Sequence, residues 1–240
     1  MDNYQDIRQF ATFASHRGRD INTQFDVRVN NSAQITTTVL FNKMLNDLDA
    51  ISVMVDEGFI DQSFVIMRTM LDKLFVLSAL TKDESKMEEL KKHFEYQQAG
   101  IIKKGCDLGL IDEDEKEGRL MELDGKNITA SMWAEWAGMK ETYQREYSLF
   151  SDFIHVSLKS IEDCLVKKRG KIKAIDMAPK IDRRGEILTT ASYYVLLATE
   201  IICNYFKIKM PDQDKVENAF SRLSEPYFAE RTQDEGKQQL

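Results

Sequence analysis

AQITTTVLFNKMLNDLDAISVMVDEGFIDQSFVIMRTMLDKLFVLSAL, residues 33–80, decides the fold. Ile35, Val39, Met44, Leu45, Leu48, Ile51 and Val55 recur at helical spacing up to Asp56. Glu57-Gly58-Phe59-Ile60 reads as a short turn, and Asp61 is a candidate cap for a second helix running to about Leu80. Two long helices on so tight a link predict an antiparallel hairpin.

The same signal continues outward. Asp83-Glu84-Ser85 opens a third long helix, which Gly105 and Gly109 end. The acidic run from Asp112 starts a short charged helix, Gly125-Lys126-Asn127 breaks the chain, and Ser131 is the expected cap of the next helix. One apolar stripe then runs through Trp133, Trp136, Lys140, Tyr143, Tyr147, Phe150, Ile154, Leu158, Ile161 and Leu165, in steps of three and four, with a bend expected near Gly138. Residues 184–207 give a last long helix with Ile187, Leu188, Ala191, Tyr194, Val195, Ala198, Ile202 and Tyr205 on one face. No stretch alternates as a strand of any length would. The expected fold is all-α, long antiparallel helices packed as a single bundle over 33–208. An N-terminal helical arm (1–32) precedes it, and a short helix with a disordered tail (209–240) completes the chain.

Composition agrees. Three prolines and 11 glycines in 240 residues are too few for the turns of a β-sandwich. The N-terminal MDNYQDIRQF has no apolar core of a secretory signal. The apolar run 191–206 is interrupted by Glu200 and Asn204 and is too short to cross a bilayer, so no membrane partner is expected. Cysteines 106, 164 and 203 form no C-x-x-C pair, which points to a reduced, cytoplasmic protein without a zinc knuckle or disulfide framework. The net charge of −7 argues against non-specific DNA binding, yet it is unevenly spread. Segment 167–185 holds eight Lys or Arg and two Asp, whereas 112–124 holds seven acids and two bases. Lys167, Lys168, Arg169, Lys171, Lys173, Arg183 and Arg184 are therefore the candidate nucleic-acid contacts, against the plainer reading of a solvated loop.

Two places carry candidate chemistry. Arg68 occupies a core slot in the series Phe64, Arg68, Leu71, Phe75, Ala79, and a buried guanidinium needs a partner. Asp72, one turn on, is the nearest candidate, and the pair either pins helix register or holds an anion. His155 lies at the edge of the long stripe, with Asp152 three residues before it to fix its tautomer; it is either a hydrogen-bonded packing residue or a general acid or base. No H-x-x-x-H, Gly-rich phosphate loop or nucleophile elbow occurs, so neither a metal nor a cofactor is expected.

The order IMRTMLDKLFVLSAL, WAEWAGM, YQREYSLFSDFIHVS resembles the bacterial domain-of-unknown-function family 5677. That pattern has an Arg followed four residues later by an acid, a Trp-containing middle, and a Tyr-rich helix with Ser and then His. The resemblance places these at Arg68, Asp72, Trp133 or Trp136, Tyr143, Tyr147, Ser151 and His155, with Asp72 where Glu is expected, and covers roughly 35–205. The architecture is also similar to the HEPN helical bundles, which often act as metal-independent ribonucleases in toxin–antitoxin and phage-defence systems. Their Arg and His share one helix; here Arg68 and His155 would have to meet across helices. The resemblance implies an effector acting on RNA or nucleotides, with Arg68, Asp72, His155, Tyr147 and Asp152 as catalytic candidates. The alternative is a non-catalytic helical interaction or adaptor module with a protein partner. A stripe as regular as 133–165 also suits self-association, so a homo-oligomer is expected.

Overall fold

In the computed structural model the described residues are 4–121, 123–147, 149–151, 165–168, 171–175, 183–210 and 212–237. They form an all-α bundle with one small β-ribbon. The helices are α1 (Tyr4–Asn22), α2 (Ser32–Asp56), α3 (Ile60–Lys82), α4 (Lys86–Asp107), α5 (Glu113–Met121), α6 (Ala130–Trp136), α7 (Lys140–Thr142), α8 (Arg184–Phe206) and α9 (Gln213–Lys237). The antiparallel ribbon pairs β1 (Leu165–Lys168) with β2 (Lys171–Ile175).

The hairpin of α2 and α3 is the most extensively packed pair, and Gly58 at φ 79° makes its turn. The two helices bury Phe41, Met44, Leu45, Leu48, Ile51 and Val55 against Phe64, Met67, Leu71, Leu74 and Phe75. Ile35 and Val39 do not join them: they are 41% and 48% exposed, and the buried face is reached through Thr37 and Phe41. Asn31 caps α2 by accepting from the Gln34 N–H at 3.0 Å. The cap position of α3 is Phe59, without a side-chain bond, and Asp61 instead sits in the first turn, where a carboxylate complements the helix dipole.

α8 lies against α1, α2 and α3, with Ile187, Leu188, Ala191, Tyr194, Val195, Ala198 and Ile202 buried. It is long and apolar enough to cross a membrane by length and composition, but its most apolar window is 67% buried among the other helices. The region expected as an arm supplies α1, whose Ile7, Phe10, Ala11, Ala14 and Ile21 are buried, the first four in the common core. The last helix, α9, is longer than the short one expected and runs to Lys237 through Pro226.

Two further readings change. The stripe from Trp133 is not one helix: Gly138, at φ 68°, ends α6, and Thr129 rather than Ser131 caps that helix, accepting from the Met132 N–H at 3.3 Å. The chain resumes in α7 and a π-helical turn, Tyr143–Tyr147. Ile154, Leu158 and Ile161 of the stripe lie outside the described residues. The basic segment read as a loop contains the ribbon instead. Its strands pair Leu165 with Ile175 and Lys168 with Lys171, around a register shift between Val166 and Lys167.

Candidate functional site

Arg68 projects from the middle of α3, among buried neighbours on the adjoining turns, and is itself half-buried. Its partner is not the one expected. No ion pair joins it to Asp72; its Nη2 donates to the Tyr147 hydroxyl at 2.6 Å, and its Cζ stands 4.7 Å from the centroid of that ring. Its Nε is buried with no hydrogen-bond partner among the described residues.

The π-helical turn presents Tyr147. Such a widened turn resets the side-chain direction of a helix, and it recurs at functional sites. Tyr143 and Tyr147 stack with centroids 4.7 Å apart, and Tyr143 in turn meets Phe75 of α3 at 6.3 Å. The turn also carries Glu146, which is 5% exposed. Its Oε1 accepts from Arg145 Nη2 at 2.6 Å, and its Oε2 has no partner among the described residues. Neither Glu146 nor the contact of Tyr143 with Phe75 is among the sequence-based expectations; the available signal was an acid set inside an aromatic series.

Asp72 completes the cluster electrostatically. Burial pushes its carboxyl above the ordinary carboxylate range, and the charges of Arg68 and Lys73 and the Tyr147 hydroxyl only partly oppose this. Lys73 is itself paired with Asp47 of α2 at 2.7 Å. Burial also raises the Tyr147 phenol, helped by the Asp72 charge and opposed by Arg68, so the hydroxyl stays protonated and neutral at physiological pH. The cluster is thus a cation held by a neutral hydroxyl, with a carboxyl beside it that is inclined to keep its proton.

One turn before Arg68, the Phe64 ring packs on Phe150 at 5.7 Å and carries the Arg183 guanidinium at 4.9 Å. Arg183 also donates to both Glu186 oxygens, at 3.0 and 3.1 Å. Residues four apart on a helix share a face, so Arg68 and Arg183 line the same side of α3. Arg184 points elsewhere, over the Tyr4 ring at 4.2 Å, beside the Asp56 carboxylate that accepts from Tyr4 and Arg8. Lys171 and Lys173 are exposed on β2. The backbone of Lys167 and Lys168 forms β1, but their side chains, like all of Arg169, lie outside the described residues. His155 and Asp152 lie outside them too. The structure therefore brings together Arg68, Tyr147 and Asp72. Among the described residues no group of three or more His, Cys, Asp or Glu could hold a metal ion.

Residues 34–172 match a family of unknown function, DUF5677. No curated protein and no solved structure matches the chain.

Proposed function

We propose, from the premise that this chain belongs to the family of unknown function DUF5677, that Arg68, Tyr147 and Asp72 form the anion-binding part of an RNA- or nucleotide-directed effector. The observation that carries this is the buried Nε of Arg68, without a hydrogen-bond partner among the described residues, on a guanidinium whose hydrogen bond goes to a neutral hydroxyl. A guanidinium has five donors and no way to shed its charge, so its low-polarity setting favours an anion with several acceptor oxygens. A phosphate diester supplies them. The exposed Lys171 and Lys173 of the ribbon offer further positive charge for a polyanion.

The reaction this arrangement suits is metal-independent transesterification of RNA. His155, oriented by Asp152 or Asp72, takes the proton of a 2′-hydroxyl. The 2′-oxygen attacks the adjacent phosphorus and the bond to the 5′-oxygen breaks. The leaving 5′-oxygen takes a proton from solvent, and Arg68 holds the charge that builds on the phosphoryl oxygens. Such an activity fits a toxin or phage-defence role. Purified protein incubated with total RNA in EDTA tests this beside Arg68→Ala and His155→Ala proteins shown to fold. Cleavage by the wild type alone is expected; no cleavage, or equal cleavage by the variants, contradicts it.

A second reading, a non-catalytic interaction module, is favoured by α4. This helix buries no residue, and Phe94 and Ile101, seven residues apart, are 59% and 68% exposed. It predicts that binding to a protein partner survives His155→Gln at full strength.

A further inference from the structure

The link between α5 and α6 is stitched to α4 at backbone level over four residues. A Cβ on Gly125 would stand 2.3 Å from the Tyr96 backbone nitrogen, so only glycine allows this approach. The Lys126 N–H donates to the Lys92 carbonyl oxygen at 3.0 Å, and the Lys126 ammonium pairs with Glu89 at 3.1 Å. The Ile128 N–H donates to Nδ1 of His93 at 3.1 Å. Ile128 itself is 2% exposed and belongs to the core, and Thr129, its neighbour, caps α6. α4 needs such stitches, because none of its own residues is buried.

The His93 contact differs from the others in one respect. A ring nitrogen accepts a hydrogen bond only while it carries no proton. With Nδ1 accepting, the ring is neutral and its proton sits on Nε2, which faces the Gln97 carboxamide nitrogen at 3.0 Å; turning that carboxamide over presents its oxygen as the acceptor. A second proton on the ring lands on Nδ1 and sets two N–H groups against each other. We infer that His93 is a proton-operated latch: its neutral ring holds the segment around Ile128 against α4, and protonation releases it. The charged groups within four residues of His93 on α4 are Glu89, Lys91, Lys92 and Glu95, and those on the described part of the link are Asp124 and Lys126. Glu89 and Lys126 neutralise one another, so neither substitutes for the lost acceptor. The Tyr96 ring, stacked 6.5 Å from the imidazole, accommodates either state. This latch is independent of any activity at Arg68.

The test is amide hydrogen exchange on the full chain, with the His93 ring followed by NMR in the same samples. Protection of the Ile128 amide should fall at least about tenfold as the NMR signals show the His93 ring gaining its second proton. The Trp133 amide, bonded to the Thr129 carbonyl, should keep its protection. In His93→Leu the Ile128 amide should be unprotected at every pH. Ile128 protection that stays constant through the titration of His93 overturns the latch, whatever the variant does, and so does a pH-dependent loss that persists in His93→Leu.

Discussion

The Tyr147 hydroxyl accepts from Arg68 Nη2 at 2.6 Å while the guanidinium also lies 4.7 Å from the ring's centroid. One tyrosine thus serves as both hydrogen-bond acceptor and cation platform for a half-buried arginine. Tyr147→Phe keeps the platform and removes the acceptor. Leaving a second donor of a buried cation unpaired costs about 1–3 kcal/mol, which urea denaturation should show as a lower midpoint. The Asp72 carboxyl, losing the hydroxyl that opposes its shift, should titrate higher still by carbon-detected NMR.

Asp72 gives a pH dependence of definite sign. Its carboxyl is raised from the ordinary value of 3.8 in the folded chain, first by burial. The folded state therefore binds this proton more tightly than the unfolded state. Its contribution to stability is most favourable below the unfolded value and declines as pH rises through the raised one. Asp72→Asn should be more stable than the wild type at neutral pH, and the difference should vanish under acid conditions. A variant less stable at neutral pH would show that the Arg68 and Lys73 charges outweigh burial.

Gly138 should not tolerate a side chain. At φ 68° it ends α6, and a Cβ there would stand 2.9 Å from the Lys82 Nζ, whose ammonium donates to the Ala137 carbonyl oxygen. Gly138→Ala should cost about 1–2 kcal/mol from the left-handed backbone alone. A variant as stable as the wild type by thermal unfolding would mean that the helix break has another cause.

The bundle is legible where periodicity and punctuation agree. Gly58 between two long apolar series foretells the hairpin, and α8 presents almost the face its spacing implies. Gly138 suggests only a bend: the three- and four-residue steps continue across it because the chain re-enters helix in register, so spacing alone cannot separate a bend from a break. The ribbon escapes such a reading because its strands are four and five residues long and rich in lysine. Arg68 stands out by its misplacement in an apolar series. Its partner does not, since a contact across 79 positions leaves no trace in local spacing, whereas Asp72 one turn away is the local choice.

The ribbon lysines carry a separate expectation. If Lys171 and Lys173 contact an RNA backbone, replacing either by Gln should weaken binding uniformly across sequences. The slope of log affinity on log salt should become shallower by about 1 for each lysine removed. Filter binding at several salt concentrations measures this, and an unchanged slope would place the nucleic acid elsewhere.

Above all, Arg68 is proposed to receive a phosphate. Fluorescence anisotropy of a labelled single-stranded RNA with wild-type and Arg68→Gln proteins, both checked for folding, tests this most directly. The wild type should bind, and the Gln protein should bind at least about tenfold more weakly, as the loss of a charged hydrogen bond implies. Equal affinity of the two proteins, or no binding by the wild type, would contradict it.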